Sequence, residues 1–338
     1  MTAPLIPRMT TSERRSWARC PQQWWWTYRE GLTPRTPDRG ARWFGTGVHE
    51  VLAPWYGEGK RRGLRPDVAF AKWIGAEKDE FIRSSVTTEF QDDVFITAGE
   101  LGEAMMLHYY QTYGRDTQLD VVATEQFGQA LVPQRIKDAS EPLVLYSFVF
   151  DGVIWWEKEL WLLEHKTAAQ IRTLHLPHDE QAGSYWLFAE TFLKDLGVLS
   201  RNDQLAGILY NFLRKAKPDQ RPRNKGGAYL NKDGSVSKQQ PPAYFRRETA
   251  ERTRGERRSI LRNLQVQAEM MLDHREGVID LWKNRTPDCT WCDFYQMCQL
   301  HDDNPAEGQG APWEEYRDAM YVRADPYAYQ RKKSASDD

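Results

Sequence analysis

Cysteine is scarce in this chain, with four in 338 residues. The dense disulfide framework on which small secreted domains depend is therefore excluded. Long apolar runs are missing too, so no membrane-spanning helix is expected, since one needs about 20 consecutive apolar residues. The opening MTAPLIPRMTTSERR has no long apolar segment followed by a cleavage site. A secretory signal is not expected, and a cytoplasmic location is. Net charge is slight, formally −2. That does not exclude nucleic acid, because clustering of charge matters more than its sum. There is no internal repeat, and no GxxxxGK[ST] sequence of a P-loop helicase.

What is present fits a soluble globular protein: 40% apolar and 28% charged residues. At about 150 residues per domain, the length suits two domains or one decorated domain. Fourteen Trp residues are first of all core and interface material. Basic residues are clustered at Lys60–Arg62, Arg221–Lys225, Arg246–Arg247, and along Arg252, Arg254, Arg257, Arg258 and Arg262.

The hydrophobic period changes along the chain. Thr11 or Ser12 can cap a short helix before Cys20. Residues 46–55, 68–82 and 91–113 read as helices, the last with Leu101, Met105, His108 and Tyr109 at three- and four-residue spacing. Segments 121–132, 143–156 and 159–164 are rich in Val, Ile, Leu, Phe and Trp and read as a strand meander, with Glu157-Lys158 as a hairpin turn. Helix returns at 178–195, strand at 204–213, and one long helix, or two, is expected over 248–281. Between them, residues 215–238 are rich in proline, glycine and charge and read as a flexible insertion.

The chemistry concentrates in Phe150-Asp151-Gly152-Val153 and Leu163-Glu164-His165-Lys166-Thr167. Glu164 and Lys166 are two apart on a strand, so they share a face. If the strands are neighbours, Asp151 lies beside Glu164. Carboxylates converging on one point are costly unless a cation sits between them, and such oxygen ligands suit Mg²⁺ or Mn²⁺. Such an ion lowers the pKa of bound water and stabilises charge on a phosphoryl group. Taken alone, an aspartate ending a strand and a surface Glu–Lys pair would explain the same residues. Glu125, in the first strand, is a further carboxylate that could face the cleft.

The flanking residues carry a resemblance. Gly45-Thr46-Gly47-Val48-His49-Glu50, FDGV with Asp151, LLEHKT with Glu164 and Lys166, and Gln181 and Tyr185 in QAGSY occur in one order. In this the chain resembles the PD-(D/E)XK nuclease superfamily, in the RecB-like branch that includes the iron–sulfur exonucleases associated with CRISPR adaptation. The resemblance implies that His49, Asp151 and Glu164 bind Mg²⁺ or Mn²⁺, with the His165 carbonyl adding an oxygen. It implies that Lys166 orients the attacking water, and that Gln181 and Tyr185 hold substrate or orient the lysine.

All four cysteines fall in two places: Cys20, and the C-x2-C-x5-C run of Cys289, Cys292 and Cys298. Four thiolates can hold Zn²⁺ or a [4Fe–4S] cluster, and spacing leaves the choice open. The resemblance implies the [4Fe–4S] cluster, tying the two ends of the chain together.

The expected fold is α/β: a restriction-endonuclease-like core with a small mixed sheet flanked by helices, a helical insertion, and the cluster joining the terminal segments. The parts are an N-terminal segment 1–40, a helical region 41–118, the nuclease core 119–215, a flexible insertion 216–247, a C-terminal helix with the cysteines at 248–305, and a polar tail 306–338. The expected function is metal-dependent DNA exonuclease, acting on single-stranded ends in recombination, repair or replication. The alternative is a non-catalytic or partner-dependent DNA-binding subunit of a helicase–nuclease or spacer-acquisition complex. A helicase or recombination protein is the expected partner, and a phage or mobile-element origin fits the lone nuclease module. The arginine-rich helix start and Lys60–Arg62 are candidate backbone contacts, and Tyr244, Phe245 and Trp24–Trp26 are candidates for base stacking or for core.

Overall fold

The computed structural model describes residues 6–36, 38–84, 92–136, 141–302, 312–328 and 331. In chain order the elements are β1 (Arg8–Thr10), α1 (Thr11–Arg19), α2 (Pro21–Trp24), β2 (Leu32–Pro34), α3 (Ala41–Trp55), α4 (Pro66–Ser84) and α5 (Asp92–Tyr113). Then come β3 (Asp120–Val132), β4 (Val144–Trp156), β5 (Glu159–Ala168), α6 (Glu180–Asp195), β6 (Leu205–Arg214) and β7 (Phe245–Glu251). The chain ends with α7 (Arg254–Arg275), α8 (Tyr295–Asp302), α9 (Pro312–Met320) and β8 (Tyr321–Arg323). Of the segment expected as a polar tail, 306–311, 329–330 and 332–338 lie outside the described residues.

The main sheet is mixed and has six strands. β3, β4 and β5 form the meander that the sequence predicts, closed by a two-residue turn. Glu157 and Lys158 both have positive φ there, as a turn that follows the right-handed strand twist requires. β5 and β6 run parallel, and β7 adds an antiparallel edge. One side of β4 is shared by two strands. β1 pairs in parallel with its first part, Leu145–Ser147, and β5 pairs with Gly152–Trp156. The stretch of β4 between those pairings lies at a fork, and Asp151 sits in it.

Apolar side chains fill both faces of the sheet. On one side Tyr146, Phe148 and Phe150 pack with Trp24, Trp186, Leu264 and Met271, from the N-terminal segment, α6 and α7. On the other side Leu163 and Leu209 pack with Val48, Leu52, Phe70 and Met105, from the α3–α5 layer. Burying each such side chain is worth about 1.5–3 kcal/mol. Glycine brings α3 close to its neighbours. A Cβ on Gly47 would lie 2.5 Å from the Trp73 ring, and one on Gly45 would lie 3.1 Å from Thr167 Oγ1. The GTG before His49 is thus a seat for the helix.

Two expectations are corrected here. The long helix starts at Arg254 and not at residue 248, because Thr253 and Glu256 form a capping box that fixes its first turn. The residues before it alternate and complete β7 against β6. Nor is an iron–sulfur cluster the joint between the terminal segments. β2 pairs with β8, and Trp26, Leu32, Phe294, Met297 and Tyr321 close into a small apolar cluster between them. The architecture is a mixed sheet flanked by helices, with a helical insertion.

Candidate active site

At the fork in β4, a cleft of about 190 Å³ is lined by Thr11, Ser12, His49, Asp151, Glu164, Gln181 and Tyr185 among others. β4 supplies Asp151, β5 supplies Glu164 and Lys166, α3 supplies His49, and α6 supplies Gln181 and Tyr185. His49 Nδ1 lies 2.9 Å from Asp151 Oδ1. The backbone N–H of His165 donates to Asp151 Oδ2 at 2.6 Å. Both carboxylate oxygens are therefore held.

Glu125 enters from β3. Thr124 pairs with Gly152 and Gln126 with Phe150, which sets Glu125 directly across from Asp151. Its φ is +48°, a left-handed conformation that costs a residue other than glycine about 1–2 kcal/mol. One ligand atom from each of His49, Glu125 and Asp151 lies within 4.8 Å of the others. Glu164 stands on the cleft wall, only 2% exposed. Its Oε1 accepts from Lys166 Nζ at 2.7 Å, while its buried Oε2 has no partner. A buried carboxylate oxygen without a donor is costly and suits a cation. The donor set of one imidazole and hard carboxylates fits Mg²⁺ or Mn²⁺ bound as a single ion.

Charge at the site follows from burial and neighbours. Burial works against a charged His49, but its contact with Asp151, with help from Glu164 and Glu125, overrides this and lifts its pKa to about 9. Burial pushes Asp151 up, and the His49 charge and hydrogen bond more than reverse that, leaving it well below the usual carboxylate range. Burial raises Glu164, opposed by Lys166 and reinforced by Asp151. Lys166, though buried, is raised by the charge of Glu164. Burial holds His165 neutral, with its pKa lowered to about 4.

Lys166 Nζ also lies 3.4 Å from Gln181 Oε1, and Gln181 Nε2 donates to Tyr185 at 3.2 Å. The structure thus gathers His49, Asp151, Glu164, Lys166, Gln181 and Tyr185 around one cleft. The His165 ring meets the His49 ring edge-on and stacks on Tyr56, and its Nδ1 enters a buried polar chain. Asn211 Nδ2 lies 2.9 Å from His165 Nδ1 and donates to Tyr109 at 2.8 Å. Tyr109 meets Tyr56, which donates to Asp116, and Arg247 pairs with Asp116 from β7. Sequence reasoning missed this chain, although an asparagine inside the apolar strand LAGILYNFLR was its one visible sign. Arg15, which donates to Gln181 Oε1 at 2.7 Å, and the cleft-lining Ser12 were missed as well.

Three of the arginines expected to touch DNA are occupied within the protein. Arg252 donates to the carbonyls of Leu176, Pro177 and Asp179. Arg62 donates to those of Asp116 and Leu119, and Arg257 stacks on Trp186. Trp24 and Trp26 are core, and Phe245 packs on Tyr109 and Tyr113.

Sheet, cleft and donor set together define a nuclease-like protein with a candidate catalytic metal site. The sequence matches the PD-(D/E)XK nuclease superfamily over residues 8–299, and the chain belongs to that superfamily. Comparison with curated proteins gives no match. Family membership carries a general capacity to bind nucleic acid. Among the described residues no helix is long and apolar enough to cross a membrane.

The narrower resemblance does not stand. The match is to the superfamily, and nothing in fold or site supports the RecB-like, CRISPR-associated iron–sulfur branch or a phage origin. The expected [4Fe–4S] cofactor is corrected too. Cys20, Cys289, Cys292 and Cys298 are free thiols. They line a common cavity of about 450 Å³ without drawing together into a ligand group. Among the described residues the group whose ligand atoms converge is His49, Glu125 and Asp151. The physical reason is that packing and the β2–β8 pairing already hold the terminal segments together, so the thiols need not meet.

Proposed function

We propose that the protein is a metal-dependent deoxyribonuclease that hydrolyses phosphodiester bonds, acting as an exonuclease on single-stranded ends. The convergence of His49, Glu125 and Asp151 beside the Glu164–Lys166 pair carries this reading. A bound Mg²⁺ or Mn²⁺ supplies a water of lowered pKa and a counter-charge for the phosphoryl oxygens. The rest is done by the chain. Asp151, fixed at both oxygens, keeps its place when the ion arrives. The His165 carbonyl is a further proposed ligand. Lys166 Nζ, an ammonium, donates to the attacking water and so orients it, and it counters charge that develops on the phosphate. Gln181 and Tyr185 hold the lysine and the substrate against the α6 wall.

The test is digestion of end-labelled single- and double-stranded DNA with Mg²⁺, Mn²⁺ or EDTA, with Lys166→Ala alongside. Expected is metal-dependent release of label that the variant loses. A folded protein that binds Mn²⁺ yet leaves every DNA intact, alone, would overturn the reading in favour of a binding-only or partner-dependent subunit.

A further inference from the structure

Between β6 and β7, residues 215–244 carry seven Lys or Arg against two Asp. Two turns in this segment share one design. Asn224-Lys225-Gly226-Gly227 and Asn231-Lys232-Asp233-Gly234 each close with the glycine N–H donating to the asparagine carbonyl at 3.0 Å. In both, that glycine has φ +82°, a conformation open to glycine at little cost. In both, the asparagine N–H then donates to the residue after the glycine, Ala228 O at 2.9 Å and Ser235 O at 2.8 Å. The result is two matched turns, each with an exposed lysine at its second position.

The turns are anchored. Tyr229 between them is 5% exposed and lies under Arg221 and Arg223. Gln240 bonds both its N–H and its carbonyl. The segment leaves the sheet beside the site. Lys215 N–H donates to Ala168 O at 2.8 Å, two residues past Lys166. Lys217 then ties it to Glu100 on α5.

The acids in the segment are engaged elsewhere. Asp219 pairs with Arg221, and Asp233 Oδ1 accepts from the N–H and the hydroxyl of Ser235. Among the described residues Lys225, Lys232 and Lys238 make no ion pair, unlike Arg252, which pairs with Glu256, and Arg221, which pairs with Asp219. An ammonium on a fixed turn that pairs with no carboxylate is a point-charge site for phosphate.

We infer that the twin turns are a backbone-binding arm for single-stranded DNA, with Lys225 and Lys232 contacting successive phosphates of the strand that enters the cleft. This deepens the nuclease reading and rests on it. The test compares wild type, K225Q/K232Q and K225R/K232R. Affinity for fluorescent oligo(dT) is measured in EDTA over a salt series. Hydrolysis of the p-nitrophenyl ester of thymidine 5′-monophosphate with Mn²⁺ is measured in parallel. Each single-strand phosphate contact contributes about 0.7 to the slope of log K against log salt. The glutamine pair is expected to lower that slope by about 1.4, the arginine pair to restore it, and the small ester to be cleaved equally by all three. An unchanged slope in K225Q/K232Q would overturn the inference. Failure of wild type to cleave the ester with any metal sinks the nuclease reading instead, and the salt slope still decides the arm.

Discussion

Asp151 Oδ1 and His49 Nδ1, 102 positions apart in sequence, meet at 2.9 Å. The contact joins α3 to the central strand of the meander and places an imidazole where Glu125 and Asp151 converge. Neither residue can be removed without loosening the donor set. Asp151→Asn and His49→Ala are each expected to abolish cleavage and to weaken Mn²⁺ binding measured by calorimetry, with the far-ultraviolet circular dichroism kept. Native Mn²⁺ affinity in Asp151→Asn would show that the ion sits elsewhere.

Lys166 is expected to act on turnover more than on binding. Its ammonium is fixed by Glu164 Oε1 and faces Gln181. Removing one such preorganised donor costs about 10²–10³ in kcat. Lys166→Ala should lose that much while its DNA affinity in EDTA stays within a few-fold of wild type, as judged by fluorescence anisotropy. A loss confined to KM would refute the role.

The polar chain behind the site should matter for stability. Asn211 bridges His165 and Tyr109 where no water reaches, since all three are buried. Asn211→Leu keeps the volume, orphans His165 Nδ1 and leaves the Tyr109 hydroxyl with Tyr56 alone. A destabilisation of about 1–3 kcal/mol is expected in urea unfolding. Because the asparagine donates to His165 Nδ1, that ring carries its proton on Nε2. A nitrogen-15 spectrum showing the other tautomer would contradict the geometry.

Metal binding should expel a proton. In the metal-free protein His49 titrates near 9, above the usual imidazole value, so it is charged at pH 7. An ion requires the neutral ring. Mg²⁺ binding at pH 7 is expected to release up to about one proton, and apparent affinity should climb with pH until it levels near 9. Calorimetry in two buffers of different ionisation heat measures the release. Without metal the sign of the stability effect is opposite. The raised pKa stabilises the fold fully below about pH 6.5, and that contribution is lost as pH rises through about 9.

Much of the site was legible because strand and helix periods are local. Two-residue spacing put Glu164 and Lys166 on one face, and four-residue spacing did the same for Gln181 and Tyr185. The meander and its Glu157-Lys158 turn could be read for the same reason. Glu125 was legible as a strand carboxylate that could face the cleft, but not as a member of the ligand group. Its left-handed backbone, and the register that sets it opposite Asp151, belong to the pairing of two strands. Arg252 could not be sorted from the other basic residues by sequence, because a guanidinium looks the same whether it meets phosphate or the carbonyls of Leu176 and Pro177. The cysteines misled in the same way, since spacing records which thiols are available and not whether they converge.

By itself the sequence determined the element types, the apolar faces and the motif residues of the nuclease superfamily, because these depend on neighbours within a turn or a strand. Tertiary structure alone decided that Glu125 and not a thiol group completes a ligand set. It also decided that Arg252 and Arg62 serve the fold, and that Lys225 and Lys232 stand on matched turns between β6 and β7. The ligand set and the arginine contacts join residues far apart in sequence, His49 to Asp151 over 102 positions and Arg252 to Pro177 over 75, which only the packing of the elements can set.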